Sequence, residues 1–301
     1  MDETFAPESY TTSKKEYVNK LGFTLIELSI VMVIIGLIIG GVLVGNDLIE
    51  AAKIRSQITQ IQKYHTAVNT FKLKYDYLPG DIIPSMVTAN GFTAAPTRDG
   101  DAGRGNGDGI IHSYASSLNS AIGWGVQGES LFIWEDLSEN SRLIEDNFNT
   151  AINAGITVSD NAGFSLYLPK AKIGNGNYIT VFSVGGVNYF EIIAPYQGNL
   201  NSGLLAEAGM TVNQADAIDK KTDDGLPLSG KTLAAMSFSR NKAGFLALTT
   251  NSRTFGNWFD PAAISAASPS SATCYDTTSS KYSTDQNNGN GVNCGLSFVF
   301  Q

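Results

Sequence analysis

The run from Phe23 to Gly45, FTLIELSIVMVIIGLIIGGVLVG, holds one charged residue, Glu27. A bilayer core of about 30 Å takes roughly 20 apolar residues as a helix, so this run is long enough to span. A carboxylate at bilayer depth costs on the order of 2.5–3.5 kcal/mol even on insertion scales. A mere anchor has no reason to carry that cost, so Glu27 asks for a partner. A secretory signal has an apolar region of only about 7–15 residues followed by an A-x-A-like site, and neither feature fits here. Lys14, Lys15 and Lys20 precede the run. By the positive-inside tendency they hold that end in the cytoplasm and send everything after Asn46 across. Gly36, Gly40, Gly41 and Gly45 include two small-xxx-small spacings, which permit close helix packing.

The segment Gly22-Phe23-Thr24-Leu25-Ile26-Glu27 resembles the processing site of type IV prepilins and of type II secretion pseudopilins. The resemblance is close from Lys20 to about Asn46 and loose over the helix that follows. It implies that residues 1–22 are a leader, removed after Gly22 by a membrane-embedded prepilin peptidase, and that the new amine on Phe23 is methylated. It also implies a pilin-like filament assembled through the N-terminal helix, with Glu27 pairing with the Phe23 amine of a neighbouring subunit. The partners implied are other copies and pilin-like subunits, the peptidase, the membrane, and an inner-membrane assembly platform with its ATPase. The precursor would sit in the bacterial inner membrane, its C-terminal domain periplasmic, and the assembled form in a periplasmic or surface filament. The leader, with Asp2, Glu3 and Glu8, is longer and less basic than many prepilin leaders.

With 301 residues and 43% hydrophobic content, the chain can build a sizeable domain behind the membrane helix. A net charge of −8 disfavours binding to phosphate backbones, and no basic-aromatic cluster points to nucleic acid. The two cysteines, Cys274 and Cys294, should pair in an exported domain and close a C-terminal loop.

From Asp47 to Tyr75, Ile54, Ile58, Ile61, Tyr64, Val68, Phe71 and Tyr75 recur at spacings of three and four. That is the stripe of an amphipathic helix over residues 46–77, ended by Leu78-Pro79-Gly80. His65 reads as a half-buried polar residue rather than a ligand. In the loop 98–110, Asp99, Asp101, Asn106 and Asp108 are hard oxygen donors among glycines. That chemistry suits Ca²⁺, although the spacing is not that of an EF-hand, and no cofactor is required. Gly128 to Ile144 reads as a helix whose Glu129, Glu135 and Asp136 suit a helix start. Phe164–Leu168, Tyr178–Val184, Val187–Ala194, Lys231–Ser239, Ala243–Thr249 and Leu296–Phe300 read as strands, with Gly185-Gly186 a hairpin turn. Thr211 and Gln214 form a capping-box pattern opening a short helix.

The expected fold is therefore α+β: a long N-terminal helix, half transmembrane and half amphipathic, packed on an antiparallel sheet within a globular domain over residues 78–301. No catalytic motif is visible, and His65 and His112 are the only histidines. The chain reads as a structural subunit and not an enzyme. The alternative is an anchored periplasmic domain that never polymerises, either a binding module or a glycan hydrolase with two carboxylates facing across a cleft.

Overall fold

The computed structural model describes residues 23–92, 97–98, 101–102, 105–111, 128–148, 157–158, 161–174, 176–199, 203–234, 265–266, 273–276 and 278–301. The chain divides into two compact units, residues 1–49 and 50–301. A single 51-residue helix, α1 (Leu25–Tyr75), supplies residues to both.

In the first unit α1 is apolar all round, and its side chains from Leu25 to Val44 are exposed. Among the described residues this is the one helix long and apolar enough to cross a membrane. In the second unit the same helix becomes amphipathic. Ile54, Gln57, Ile61, Tyr64, Ala67, Val68 and Phe71 are buried, and Ile58 and Tyr75 pack at the edge of the core. The stripe matches the expected one with two additions, Ala67 and Gln57, the latter a polar residue with no exposure. Its Oε1 accepts the Lys172 N–H at 2.7 Å, which offsets the cost of burying that oxygen. The helix stops at Asp76, which takes a left-handed φ of 63° while its N–H donates to the Lys72 carbonyl.

The sheet is antiparallel and centred on one long strand. β1 (Tyr178–Val184) and β2 (Val187–Asn199) form a hairpin, Val184 facing Val187. Gly185 and Gly186 both have positive φ, as a two-residue turn matched to strand twist requires. β3 (Gly203–Glu207) pairs with the far half of β2. β4 (Thr232–Leu233) pairs with β5 (Leu296–Val299), which lies along the near half of β2. Phe190 of β2 stacks on Phe300 at 4.3 Å between centroids and meets Tyr64 and His65 of α1 at 6.1 and 5.4 Å. Helix stripe and sheet face thus make one aromatic core, into which Trp134 also packs, 5.1 Å from Tyr64.

Two expectations need correction. Phe164–Leu168 is not a strand but the end of a short helix, Asn161–Phe164, and the turn after it. Phe164, Tyr167 and Leu168 are buried, which is helical spacing, and the N–H groups of Tyr167 and Leu168 return to the Phe164 carbonyl. The helix expected over Gly128–Ile144 is α-helical only as α2 (Glu129–Glu135), followed by a π turn over Asp136–Asn140. Its acids are not surface groups: Glu129, Glu135 and Asp136 are all buried. Asp136 accepts the Gly80 N–H at 2.7 Å and the Asn140 amide at 3.0 Å. Of the late strands, Ala243–Thr249 lies outside the described residues.

Gly80 has φ +89°, and a Cβ there would lie 2.3 Å from the Glu129 carbonyl oxygen. Gly91 has φ +70° with nothing within 4 Å. A strained φ costs about 1–3 kcal/mol, and each kcal/mol moves the midpoint of a unit this size by about 2–4 °C. Gly91→Ala should show that loss alone. Gly80→Ala, which also drives backbone into backbone, should lower the thermal midpoint by clearly more. Equal shifts for the two variants would show that the packing of Gly80 on α2 is not a constraint.

Candidate functional site

Thr24 stands immediately before α1 and Glu27 lies in its first turn. The Glu27 N–H donates to Thr24 Oγ1 at 3.3 Å. In return Glu27 Oε2 accepts from the Thr24 N–H and from Thr24 Oγ1, both at 2.8 Å. This is the reciprocal Thr-x-x-Glu capping box, which satisfies N–H groups that a helix start otherwise leaves open. Phe23 precedes it and is 91% exposed. The carboxylate inside the apolar run therefore already has local, uncharged donors. The pattern was readable at Thr24, whose spacing to Glu27 equals that of Thr211 to Gln214.

Residues 18–43 match the family model of the prokaryotic N-terminal methylation motif. The chain carries the type IV pilin and pseudopilin signature. The motif supports a pilin-like precursor of the kind prepilin peptidase processes, and the apolar helix with this motif fits an inner-membrane-anchored form. The motif suggests a structural rather than an enzymatic protein. No curated protein and no solved structure matches the chain. Gly22 and the leader lie outside the described residues.

The loop expected to suit calcium is described in part. Asp99 lies outside the described residues, and Asp101 belongs to a two-residue strand paired with Thr97–Arg98. Asn106 and Asp108 come together in an exposed turn. The Asn106 amide donates to Asp108 Oδ2 at 2.9 Å, and the Asp108 N–H donates to Asn106 Oδ1 at 3.0 Å. The carboxylate that anchors this turn is one the sequence reading passed over. Asp81, buried just after the Leu-Pro-Gly stop, accepts the Gly107 and Gly109 N–H groups, each at 2.7 Å.

Cys274 and Cys294, both buried, form the expected disulfide. Inside the loop they close, Tyr275–Asp276 pairs with Lys281–Tyr282. At its end Val292–Cys294 pairs with Met210–Thr211. The next helix, α3 (Val212–Thr222), opens on the expected capping box of Thr211 and Gln214. Gln214 also donates to Glu50 Oε1 at 2.6 Å, tying the start of α3 to α1 within the second unit.

Near the end of α3 the carboxylates of Asp219, Asp223 and Asp224 lie within 4.8 Å of one another. Each already accepts hydrogen bonds: Asp219 from the Tyr282 hydroxyl, Asp223 from the Lys231 and Thr232 N–H groups, Asp224 from Leu226 N–H and Ser229 Oγ. Burial, reinforced by the neighbouring charges of Asp224 and Asp223, pushes the Asp219 carboxyl up to about 6 against the bonds from Tyr282 and Gly225. His65 is held below its ordinary value by burial and by Lys231. Its half-buried ring meets Phe190 and Phe300 edge-on, at 5.4 and 6.3 Å between centroids.

A disulfide spanning 20 residues contributes about 3 kcal/mol in the chain-entropy model. Replacing both Cys274 and Cys294 by Ser should lower the urea-unfolding free energy by about that much. Alkylation of the denatured, unreduced wild-type protein should find no free thiol. Stoichiometric labelling of both cysteines would contradict the bridge.

Proposed function

We propose that this chain is a structural subunit of a type IV pilus-like or type II secretion pseudopilus filament, assembled through α1 after removal of residues 1–22. The observation that carries the reading is the single carboxylate, Glu27, four residues after Phe23 in an otherwise apolar helix that bears the methylation motif. The membrane stores the precursor because its apolar surface has no place in water. Cleavage after Gly22 creates an amine on Phe23. An incoming subunit then offers Glu27 to the amine of one already placed, and the apolar helix passes from lipid into a core of like helices.

Lipid and filament core are similarly apolar, so the transfer gains little hydrophobic energy. An ATPase-driven platform supplies the work. The pairing of acid and amine supplies the register, because a lone acid placed in the core finds its charge cancelled at one axial offset only. Gly36, Gly40, Gly41 and Gly45 are open on their Cβ side, which leaves room for neighbouring helices to approach.

Mass spectrometry of the mature N-terminus tests the first step. The expected species begins at Phe23 and carries one methyl group on its amine. A protein that keeps residues 1–22 in cells with an active peptidase would sink the proposal. Glu27→Val tests the second step. The variant should insert and be processed, yet polymerise far less. Losing one partner of a buried pair costs about 3–5 kcal/mol, a hundredfold or more in an equilibrium. Normal assembly of that variant would show that pairing of Glu27 with the Phe23 amine does not direct assembly. Surface fibres containing the protein would assign it to a pilus. Loss of secreted enzymes on deletion would assign it to a secretion system.

A further inference from the structure

We infer that Asp219 and Tyr282 form an acid-strengthened latch that clamps the disulfide-closed loop onto α3. Asp219 has no exposure and Tyr282 is 6% exposed. The Tyr282 hydroxyl donates to Asp219 Oδ2 at 2.8 Å across 63 residues of sequence. The bond joins the strand Lys281–Tyr282, inside the loop, to the helix outside it.

The charges around this bond are mostly of one sign. On α3, Asp216 is paired with Lys220 at 2.7 Å, so the two largely cancel. In the turn after α3, Asp223 and Asp224 bring their carboxylates within 4.8 Å of Asp219. From the loop side, Asp276, Lys281 and Asp285 line a groove of about 510 Å³ that Tyr282 borders. Three carboxylates this close favour taking up a proton. Asp224 is exposed and held below the ordinary range by Ser229 and the Leu226 N–H. The proton therefore belongs on Asp219, the buried member. Once protonated, Asp219 keeps a carbonyl oxygen to accept the tyrosine hydroxyl and no longer places a charge in a dry, acidic site.

The sign follows from linkage. The folded-state value of about 6 lies above the ordinary 3.8, so the closed loop binds a proton more readily than the open one. The latch is weakest above about pH 6 and tightens as the pH falls toward about 4. For one such group, opening of the loop should become about tenfold rarer between pH 7 and pH 5. The latch stands independently of the filament reading, since it needs only the second unit.

Hydrogen exchange on the full-length, detergent-solubilised protein in EDTA, corrected for intrinsic exchange, tests this. Protection of residues 278–293 should rise about tenfold from pH 7 to pH 5 in wild type. In Asp219→Asn, which keeps an acceptor for Tyr282, it should be flat. Wild-type protection that is flat or falls, or an Asn variant that retains the rise, would overturn the latch. Should the variant not fold, a carboxyl titration of Asp219 in wild type decides: a midpoint near 6 supports the latch, and one near 4 overturns it. Adding Ca²⁺ without EDTA at pH 7 gives a further arm. No effect is expected; protection equal to that produced by acid would mean that a cation, not a proton, neutralises the cluster, and would likewise overturn the proposal.

Discussion

Packing of the α1 stripe on the aromatic face of the β1–β2–β5 sheet is the contact on which the second unit depends. Tyr64, Phe71, Trp134 and Phe190 are each 2% exposed or less, and full burial of such side chains is worth about 1.5–3 kcal/mol apiece. No other part of α1 in this unit could supply that area. Its other faces carry Lys53, Arg55, Lys63 and Lys72. The remaining elements sit where they can seal this contact. The loop at Lys170 and Lys172 is pinned to the helix by Gln60 and Gln57. α3 is pinned by Gln214 to Glu50. These bonds add little net energy, but each fixes which turn of α1 meets which loop, and hydrophobic area alone does not.

Buried acids are the second organising device, and they are handled in three ways. Asp81 spends both carboxylate oxygens on glycine N–H groups and so holds an exposed turn. Asp136 reaches across to the Gly80 N–H and fixes the chain just after α1 against α2. In both cases backbone dipoles solvate the charge in place of water, the arrangement that makes a buried carboxylate tolerable. Asp219 receives a tyrosine hydroxyl and a longer contact from the Gly225 N–H, with two acids beside it. Burial pushes it into the range where a carboxyl gains and loses a proton near neutrality.

How much of this was legible follows from what periodicity can carry. The long helix, the Gly185-Gly186 hairpin, the Thr211 capping box and the strand at Leu296 announce themselves through local pattern, because local interactions form them. The disulfide was legible from cysteine count and compartment. Phe164–Leu168 misled because five residues cannot separate an alternating strand from one buried helical turn. Asp136 misled more instructively, and Asp81 drew no reading at all. A carboxylate beside glycines or at a helix start reads as surface, and only the tertiary fold shows that the donors come from 26 and 56 residues away. At the N-terminus the methylation motif was plain. The capping role of Thr24 was equally local and was overshadowed by the charge of Glu27.

That role changes the energetics of Glu27. An unpartnered carboxylate in lipid would be driven to protonate or to pull the helix toward the headgroups. Thr24 supplies two donors to Oε2, so the acid can wait within the precursor at a reduced cost. These donors are neutral: they satisfy lone pairs without cancelling charge. A neighbour's amine does both, and in a medium of low dielectric the gain from cancelling charge far exceeds that of one neutral hydrogen bond. Giving up a cap costs about 1 kcal/mol. In the proposed filament the exchange of Thr24 for the amine is therefore downhill, but only where an amine stands at the right depth. In that filament the same box that stabilises the solitary helix would let its acid discriminate between lipid, which offers nothing better, and a correctly placed subunit, which does.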